Sequence, residues 1–253
     1  MLQGDSWRDR GEWGNLWKRL KNFFIKEIFG PTIQGEGPNV GKKCIFVRVA
    51  GCDFRCTWCD TKRALKVNSS SQKFTAVDLS KKILGLCKSS CCPHVILTGG
   101  NPCLYDFTYV IEELHQSGIK VDVETQGSVI PDWLSLCDLV VLSPKGPSSG
   151  QKDVYNNIEK FLLSKKTRII IKIPIFNDDD VNFLKRYQEL CKKYGVDLYA
   201  TVGNNDSEYK GDMSKIILEK YKIILEKLIK EKIDSVYLLP QLHVLLWGNR
   251  SGV

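Results

Sequence analysis

The stretch CIFVRVAGCDFRCTWCDT (residues 44–61) starts as a β-branched, aromatic run and ends as a loop with three cysteines in eight positions. That change of character recurs down the chain. HVILT (94–98), KVDVE (120–124), LVVLS (139–143), RIIIKI (168–173), VDLYATV (196–202) and SVYLL (235–239) read as further strands. Between them, apolar residues return every three or four positions, as helices require. Repeated βα units predict a parallel sheet buried on both sides, either doubly wound or curled into a full or partial barrel. Nearly every unusual polar motif directly follows a strand: GCDFRCTWCDT, GGNP, TQGS, PKGPSSG, GNND and PQLH. In parallel α/β folds the βα loops converge at that rim, so these motifs predict one composite site.

A chain of 253 residues buries a sizeable core without staples, so its ten cysteines are not needed to hold it together. They read as buried thiols plus a metal or redox site. No run of eighteen apolar residues occurs, and the N-terminus lacks the layout of a secretory signal, which predicts a soluble, cytoplasmic protein with no membrane role. The net charge of +8 is spread along helix faces and is not interleaved with aromatics, which argues against direct nucleic-acid binding. Residues 1–25 stand apart as an N-terminal extension. Trp13, Leu16, Trp17, Leu20 and Phe24 recur at helical spacing, so an amphipathic helix docked on the domain is expected there, with residues 26–253 forming the main unit.

Structural zinc takes four ligands, and Cys52, Cys56 and Cys59 supply three. A zinc reading needs a distant fourth, such as His94, Cys87, Cys91 or Cys92. Ferredoxin-type clusters meet the same shortage. A cluster on three thiolates leaves one iron open, and an open coordination position signals chemistry. Cys44, Cys103, Cys137 and Cys191 read as buried thiols, and no second metal site is expected from Cys87, Cys91 and Cys92.

The spacing Cys52-x-x-x-Cys56-x-x-Cys59, with Trp58 before the last cysteine, resembles the radical S-adenosylmethionine superfamily. The resemblance implies a [4Fe-4S] cluster on the three cysteines and S-adenosylmethionine on the open iron, cleaved by one electron to a 5′-deoxyadenosyl radical. LTGGNPCL resembles that superfamily's GGEP motif, in which Gly99 and Gly100 let a ligand approach the backbone. Asn101 stands where the acid usually holds the methionine ammonium. An amide oxygen still accepts but brings no charge, so Asn101→Glu is expected to retain or strengthen cofactor binding.

A wider resemblance runs through EIFGPTIQGEGPNVGKKCIFVRVAGC, CDT, VETQG, LSPK, VGNND and LLPQLHVLLWGNRSGV. Over residues 26–253 the chain is similar to the 7-carboxy-7-deazaguanine synthase family, most like the form found in bacilli. This implies an incomplete (β/α) barrel of TIM type and a homodimer served by a flavodoxin- or ferredoxin-like electron donor. The implied reaction is a magnesium-dependent ring contraction of 6-carboxy-5,6,7,8-tetrahydropterin to 7-carboxy-7-deazaguanine, with loss of ammonia, in queuosine or 7-deazapurine biosynthesis. Arg48 would grip the substrate carboxylate in a two-pronged bond. Ile33, Gln34, Gly35 and Glu36 would read the pterin, and Thr98, His243 and the Val253 carboxylate would close the site. For the cofactor, the resemblance implies Trp58, Cys59 and Asp60, then Gly99, Gly100 and Asn101. It adds Ser143, Pro144 and Lys145, and a fourth group of Thr201, Val202, Gly203 and Asn204. Thr61 would ligate Mg²⁺, which needs few protein ligands. Two rivals remain: an activating enzyme for a glycyl-radical partner, and a non-enzymatic zinc-binding adaptor.

Overall fold

The computed structural model describes residues 22–164, 166–206 and 209–253. Its nine-stranded sheet comprises β1 (Asn22–Ile33), β2 (Lys43–Val49), β3 (Gln72–Thr75), β4 (His94–Gly99), β5 (Lys120–Thr125), β6 (Leu139–Leu142), β7 (Ile169–Ile175), β8 (Asp197–Val202) and β9 (Val236–Leu239). The order is β3-β1-β2-β4-β5-β6-β7-β8-β9, with β2 through β9 parallel, and β3 and β9 do not pair. The sheet is therefore an incomplete (β/α) barrel. The helices are α1 (Ala76–Ser89), α2 (Thr108–Gln116), α3 (Tyr155–Ser164), α4 (Asp178–Tyr194), α5 (Ser214–Lys230) and the short α6 (Leu242–Trp247).

Alternation along the strands divides the molecule. Ile45, Val47 and Val49 of β2, Val95 and Leu97 of β4, and Val121 and Val123 of β5 enter the main core beneath the helices. The intervening residues turn the other way: Phe46 and Arg48, Thr98, Glu124, Lys172 and Thr201 line a cavity inside the curved sheet. Leu139, Val141, Ile170 and Tyr199 form a small separate apolar cluster on that inner face. Helix ends follow ordinary capping rules. Asn177 caps α4 by accepting from Asp180 N at 3.1 Å, and Gly195 closes it in the left-handed region.

All seven strands expected from the sequence are present. Two antiparallel strands at the edge, β1 and β3, go beyond that expectation. β1 carries Gly30 and Pro31 in its interior and shifts register between Ile25 and Glu27 and between Phe29 and Thr32, which breaks the alternation that marks a strand. Phe24, counted with the helical aromatic series, belongs to β1, and the 25/26 boundary falls inside that strand. The remainder of the expected N-terminal helix lies outside the described residues.

The carboxyl ends of β2 and β4 meet backbone to backbone. Gly99 has φ +135°, and a Cβ there would collide with Val49 N and O; a Cβ on Gly100 would collide with Gly51 O and approach Ala64 O to 2.8 Å. These two glycines are thus required by the fold itself, before any ligand is considered. Gly100→Ala is expected to cost about 3 kcal/mol of unfolding free energy, the upper range for overpacking, since backbone cannot rotate away. Urea unfolding of the variant checks this.

Candidate active site

The three cysteines of the loop after β2 are free thiols, half-buried, and all line one cavity at the carboxyl ends of the parallel strands. No other cysteine lines it. Cys52 N donates to Leu65 O at 3.1 Å, Thr57 N to Ser149 O at 3.1 Å and Trp58 Nε1 to Ser148 Oγ at 2.9 Å, so the loop is fixed at both ends. Among the described residues no three His, Cys, Asp or Glu side chains close around a single ion. His94, one proposed fourth zinc ligand, opens β4 and bonds to Asp122 at 2.7 Å. It lies four strand residues below Thr98, roughly 13 Å from the rim. Cys87 lies in α1 and is buried, as is Cys92 just before β4, while Cys91 is exposed, so none of them reaches the loop. The donor set is three convergent thiols on a spread loop, which suits a cluster held by three ligands. Burial pushes all three thiols up, Cys56 to about 11, so loading a metal must release protons.

A second part of the cavity lining is a hydrogen-bonded network. Gln34 Nε2 donates to Glu124 Oε1 at 2.8 Å, and Lys172 Nζ donates to Glu124 Oε2 at 3.2 Å and also to Glu36 Oε2. Gln241 Nε2 completes it by donating to Glu36 Oε1 at 2.7 Å. Burial pushes the Glu36 carboxyl up, but the Lys172 ammonium, His243 and two hydrogen bonds outweigh it and hold Glu36 at about 2. Burial pulls Lys172 down, yet its two carboxylates raise it well above the usual lysine range. This network therefore carries fixed charge. Nearby, Arg48 Nε donates to Glu27 Oε1 at 2.7 Å, and the same oxygen accepts from Arg63 at 2.6 Å. Arg63 also reaches Ser251 at 2.7 Å, tying the carbon end of the chain to the site. Leu242 N donates to Gly35 O at 3.0 Å, and His243 packs where a side chain on Gly35 would stand.

On the cysteine side, Trp58 stacks on Phe176 with ring centroids 4.2 Å apart, and Lys145 lies 5.9 Å from the Trp58 ring centre. Asp180, fully buried at the start of α4, accepts from Phe176 N at 2.9 Å and Ser148 N at 3.2 Å, which locks both neighbours of Trp58. Gly203 is required here, since a Cβ would meet the Phe176 ring at 2.6 Å. Thr61 Oγ1 donates to Asp60 Oδ1 at 2.8 Å, which commits its proton and leaves oxygen lone pairs for another partner.

The cavity brings together Ile33, Gln34, Gly35, Glu36, Arg48, Thr98, His243 and Val253 with Trp58, Cys59, Asp60, Thr61, Gly99, Gly100, Ser143, Lys145, Thr201, Gly203 and Asn204. Three expected residues lie elsewhere. Val202 is fully buried against Met213, Ile217 and Val244, because it falls on the helix-facing side of β8. Pro144 is buried behind Ser143 and Lys145. Asn101 is fully buried and saturated: it donates to Asp53 at 2.9 Å and Ser128 at 3.2 Å, and accepts from Thr125 at 2.9 Å and Cys103 N at 3.1 Å. It is a structural hub and not a cavity-facing acceptor. Glu124, Lys172, Gln241, Gln126 and Phe176 line the cavity and were missed by sequence reasoning. The available signal was a charged residue inside an apolar strand run, as in VDVE and IIIKI.

Two expectations follow. Asn101→Glu loses both donated bonds and faces Asp53 with a like charge, so the sequence-based expectation for it reverses. A loss of about 3 kcal/mol is expected in thermal unfolding. Lys172→Met leaves two half-buried carboxylates without their buried cation and is expected to cost about 3 kcal/mol at pH 7 in urea unfolding. Glu36 is depressed in the folded state, so its contribution is complete above its ordinary value near 4.5 and fades as pH falls toward about 2. The gap between the native protein and Lys172→Met should accordingly narrow below pH 4.5.

Residues 46–140 match the Radical SAM superfamily. Over 246 residues the chain is 38% identical to the 7-carboxy-7-deazaguanine synthase of Bacillus subtilis, covering 92% of this chain and 99% of that one. It is 34% identical to the synthase of Bacillus cereus over 236 residues, covering 90% and 98%. Among solved structures, QueE from Escherichia coli superposes with a TM-score of 0.65 at 23% identity, covering 90% of this chain and 98% of that chain, a likeness of fold. Streptococcus suis SuiB bound to S-adenosylmethionine shares the fold more distantly, with a TM-score of 0.52 at 15% identity over 77% of this chain and 46% of that one. With this similarity along nearly the whole chain, and three cysteines sharing one rim cavity with the IQGEG loop and the C-terminal tail, the chain belongs to the 7-carboxy-7-deazaguanine synthase family.

Proposed function

We propose that this chain is a radical S-adenosylmethionine lyase that contracts 6-carboxy-5,6,7,8-tetrahydropterin to 7-carboxy-7-deazaguanine with loss of ammonia, in queuosine or 7-deazapurine biosynthesis. The observation that carries this reading is one cavity lined both by three thiols and by a carboxylate–lysine–carboxamide network. Cys52, Cys56 and Cys59 would hold a [4Fe-4S] cluster. When bound, the cluster and S-adenosylmethionine supply a carbon radical able to take a hydrogen atom from an unactivated carbon.

This chain's own residues bind and orient. Arg48, held by Glu27, would meet the substrate carboxylate with its guanidinium edge. Glu36 and Glu124 offer fixed acceptors to the N–H groups of a pterin edge, and Gln34 reads the same edge. His243 and the Val253 carboxylate would cover the site, with Arg63 holding the tail through Ser251. Trp58 and Phe176 form an aromatic wall suited to the adenine region, and Ser143 with Lys145 suits a ribose or carboxylate. Thr61 would hold Mg²⁺ beside the substrate carboxylate, its hydroxyl oriented by Asp60. A homodimer and a flavodoxin- or ferredoxin-like donor complete the reading. Among the described residues no helix is long and apolar enough to cross a membrane, which suits a cytoplasmic enzyme.

The test is anaerobic reconstitution with iron and sulfide, then incubation with reductant, S-adenosylmethionine, Mg²⁺ and the carboxylated tetrahydropterin, with the deazapurine assayed by mass. Cys56→Ala is expected to abolish cofactor cleavage and product together, and chelating Mg²⁺ should slow product while cofactor cleavage persists. Cleavage without deazapurine would reject the substrate, and zinc without iron would reject the enzyme.

A further inference from the structure

We propose that Gln126 tunes the reduction of the cluster through an N–H bond to Cys52 Sγ, and that Asn101 and Asp53 are positioning residues that aim it. Cys52 Sγ accepts from Phe54 N at 3.4 Å and from Gln126 Nε2 at 3.7 Å. Among the described residues, Cys56 and Cys59 receive no such side-chain donor. The Gln126 amide is held in place: Nε2 also donates to Asp53 Oδ1 at 2.7 Å, and that oxygen accepts a second bond from Asn101 Nδ2 at 2.9 Å. Asn101 in turn is clamped by Thr125, Cys103 N and Ser128. A chain of bonds thus runs from a fully buried amide, through a surface carboxylate, to a buried side-chain amide, and ends on sulfur.

The electrical sense follows from charge. One electron entering from an external donor places added negative charge partly on the cluster sulfurs. An N–H donor stabilises that reduced form more than the oxidised one, and hydrogen bonds to sulfur are among the determinants of cluster potential. A carboxylate one residue from the ligand acts in the opposite direction. Gln126 stands between the two, donating to both. The neutral residue at 101 then has a purpose: an acid there would repel Asp53 and give Gln126's anchor no donor. The departure at Asn101 and the amide at Gln126 are parts of one device.

The inference rests on the cluster reading of the cysteine loop, and its test is potentiometric titration of the anaerobically reconstituted full chain, without substrate, followed by electron paramagnetic resonance. Gln126→Leu is expected to make reduction up to ~10-fold less favourable, a potential about 59 mV more negative for a one-electron couple. Asp53→Asn is expected to move the potential in the opposite direction, whereas a merely structural disturbance would not give opposite signs. An unchanged potential in Gln126→Leu, or both variants moving together, overturns the proposal. Where Gln126→Leu fails to assemble a cluster, Gln126→Asn decides, since it keeps an amide but draws the N–H back from Cys52 Sγ by one methylene: a negative shift supports the device, and no shift or a positive one overturns it. Absence of any cluster signal in the unaltered chain would instead reject the reading of the cysteine loop.

Discussion

The close approach of two backbones, Gly99–Gly100 against Val49–Gly51, sets the position of everything at the rim. Gly100 N donates to Val49 O at 3.1 Å and Asn101 N to Gly51 O at 2.8 Å, so the pairing of β2 with β4 continues past the ends of both strands. Gly51 N then reaches Ala64 O at 2.8 Å, which brings the far side of the cysteine loop back onto its start. No residue with a side chain fits at Gly99 or Gly100. The thiols are consequently mounted on a frame that hydrogen bonds define without them. Ligands held this way lose little entropy on binding, which is the benefit of preorganisation.

The second half of the frame comes from across the barrel. Asp180 lies in the first turn of α4, yet its two carboxylate oxygens fix Ser148, in the loop after β6, and Phe176, in the loop after β7. Those two residues hold the Trp58 ring by a hydrogen bond and by stacking. One buried acid therefore couples three βα loops, and the aromatic wall depends on a residue outside the cavity.

How much of this was legible follows from how far apart the partners lie. The parallel strands were readable because their signal is local: β-branched runs bounded by turns. The cysteine loop, IQGEG and PQLH were readable for the same reason. Lys172 was hidden inside RIIIKI, where a long apolar run reads as a doubly buried strand; its meaning comes from Glu36, 136 residues away. Phe176 follows the strand that carries no polar motif. Asn101 shows the reverse case. Its position was matched to an acid that faces a ligand, but its partners, Asp53, Ser128 and Thr125, turn it into the protein.

Two lysines of the cavity, Lys172 buried and Lys145 half-buried, show how the site divides its charge. Lys172 sits between two carboxylates and is held firmly protonated. Lys145 donates to the Ser143 hydroxyl at 2.9 Å and faces the Trp58 ring and the Cys56 thiol, with no carboxylate ion pair of its own among the described residues. Burial pulls it down, with the Lys172 charge adding to this; a thiolate at Cys56 would push it back up, as the Asp60 and Glu36 carboxylates do. Lys172 thus has its counter-charges within the protein, whereas the cysteine side gains from anions placed beside Lys145. Thiolates bound to metal, and the carboxylate of an amino-acid cofactor, both have the required sign. Each would in turn hold Lys145 protonated, so loading the cysteine side and charging that lysine reinforce each other, while Glu36 and Lys172 keep their charge throughout.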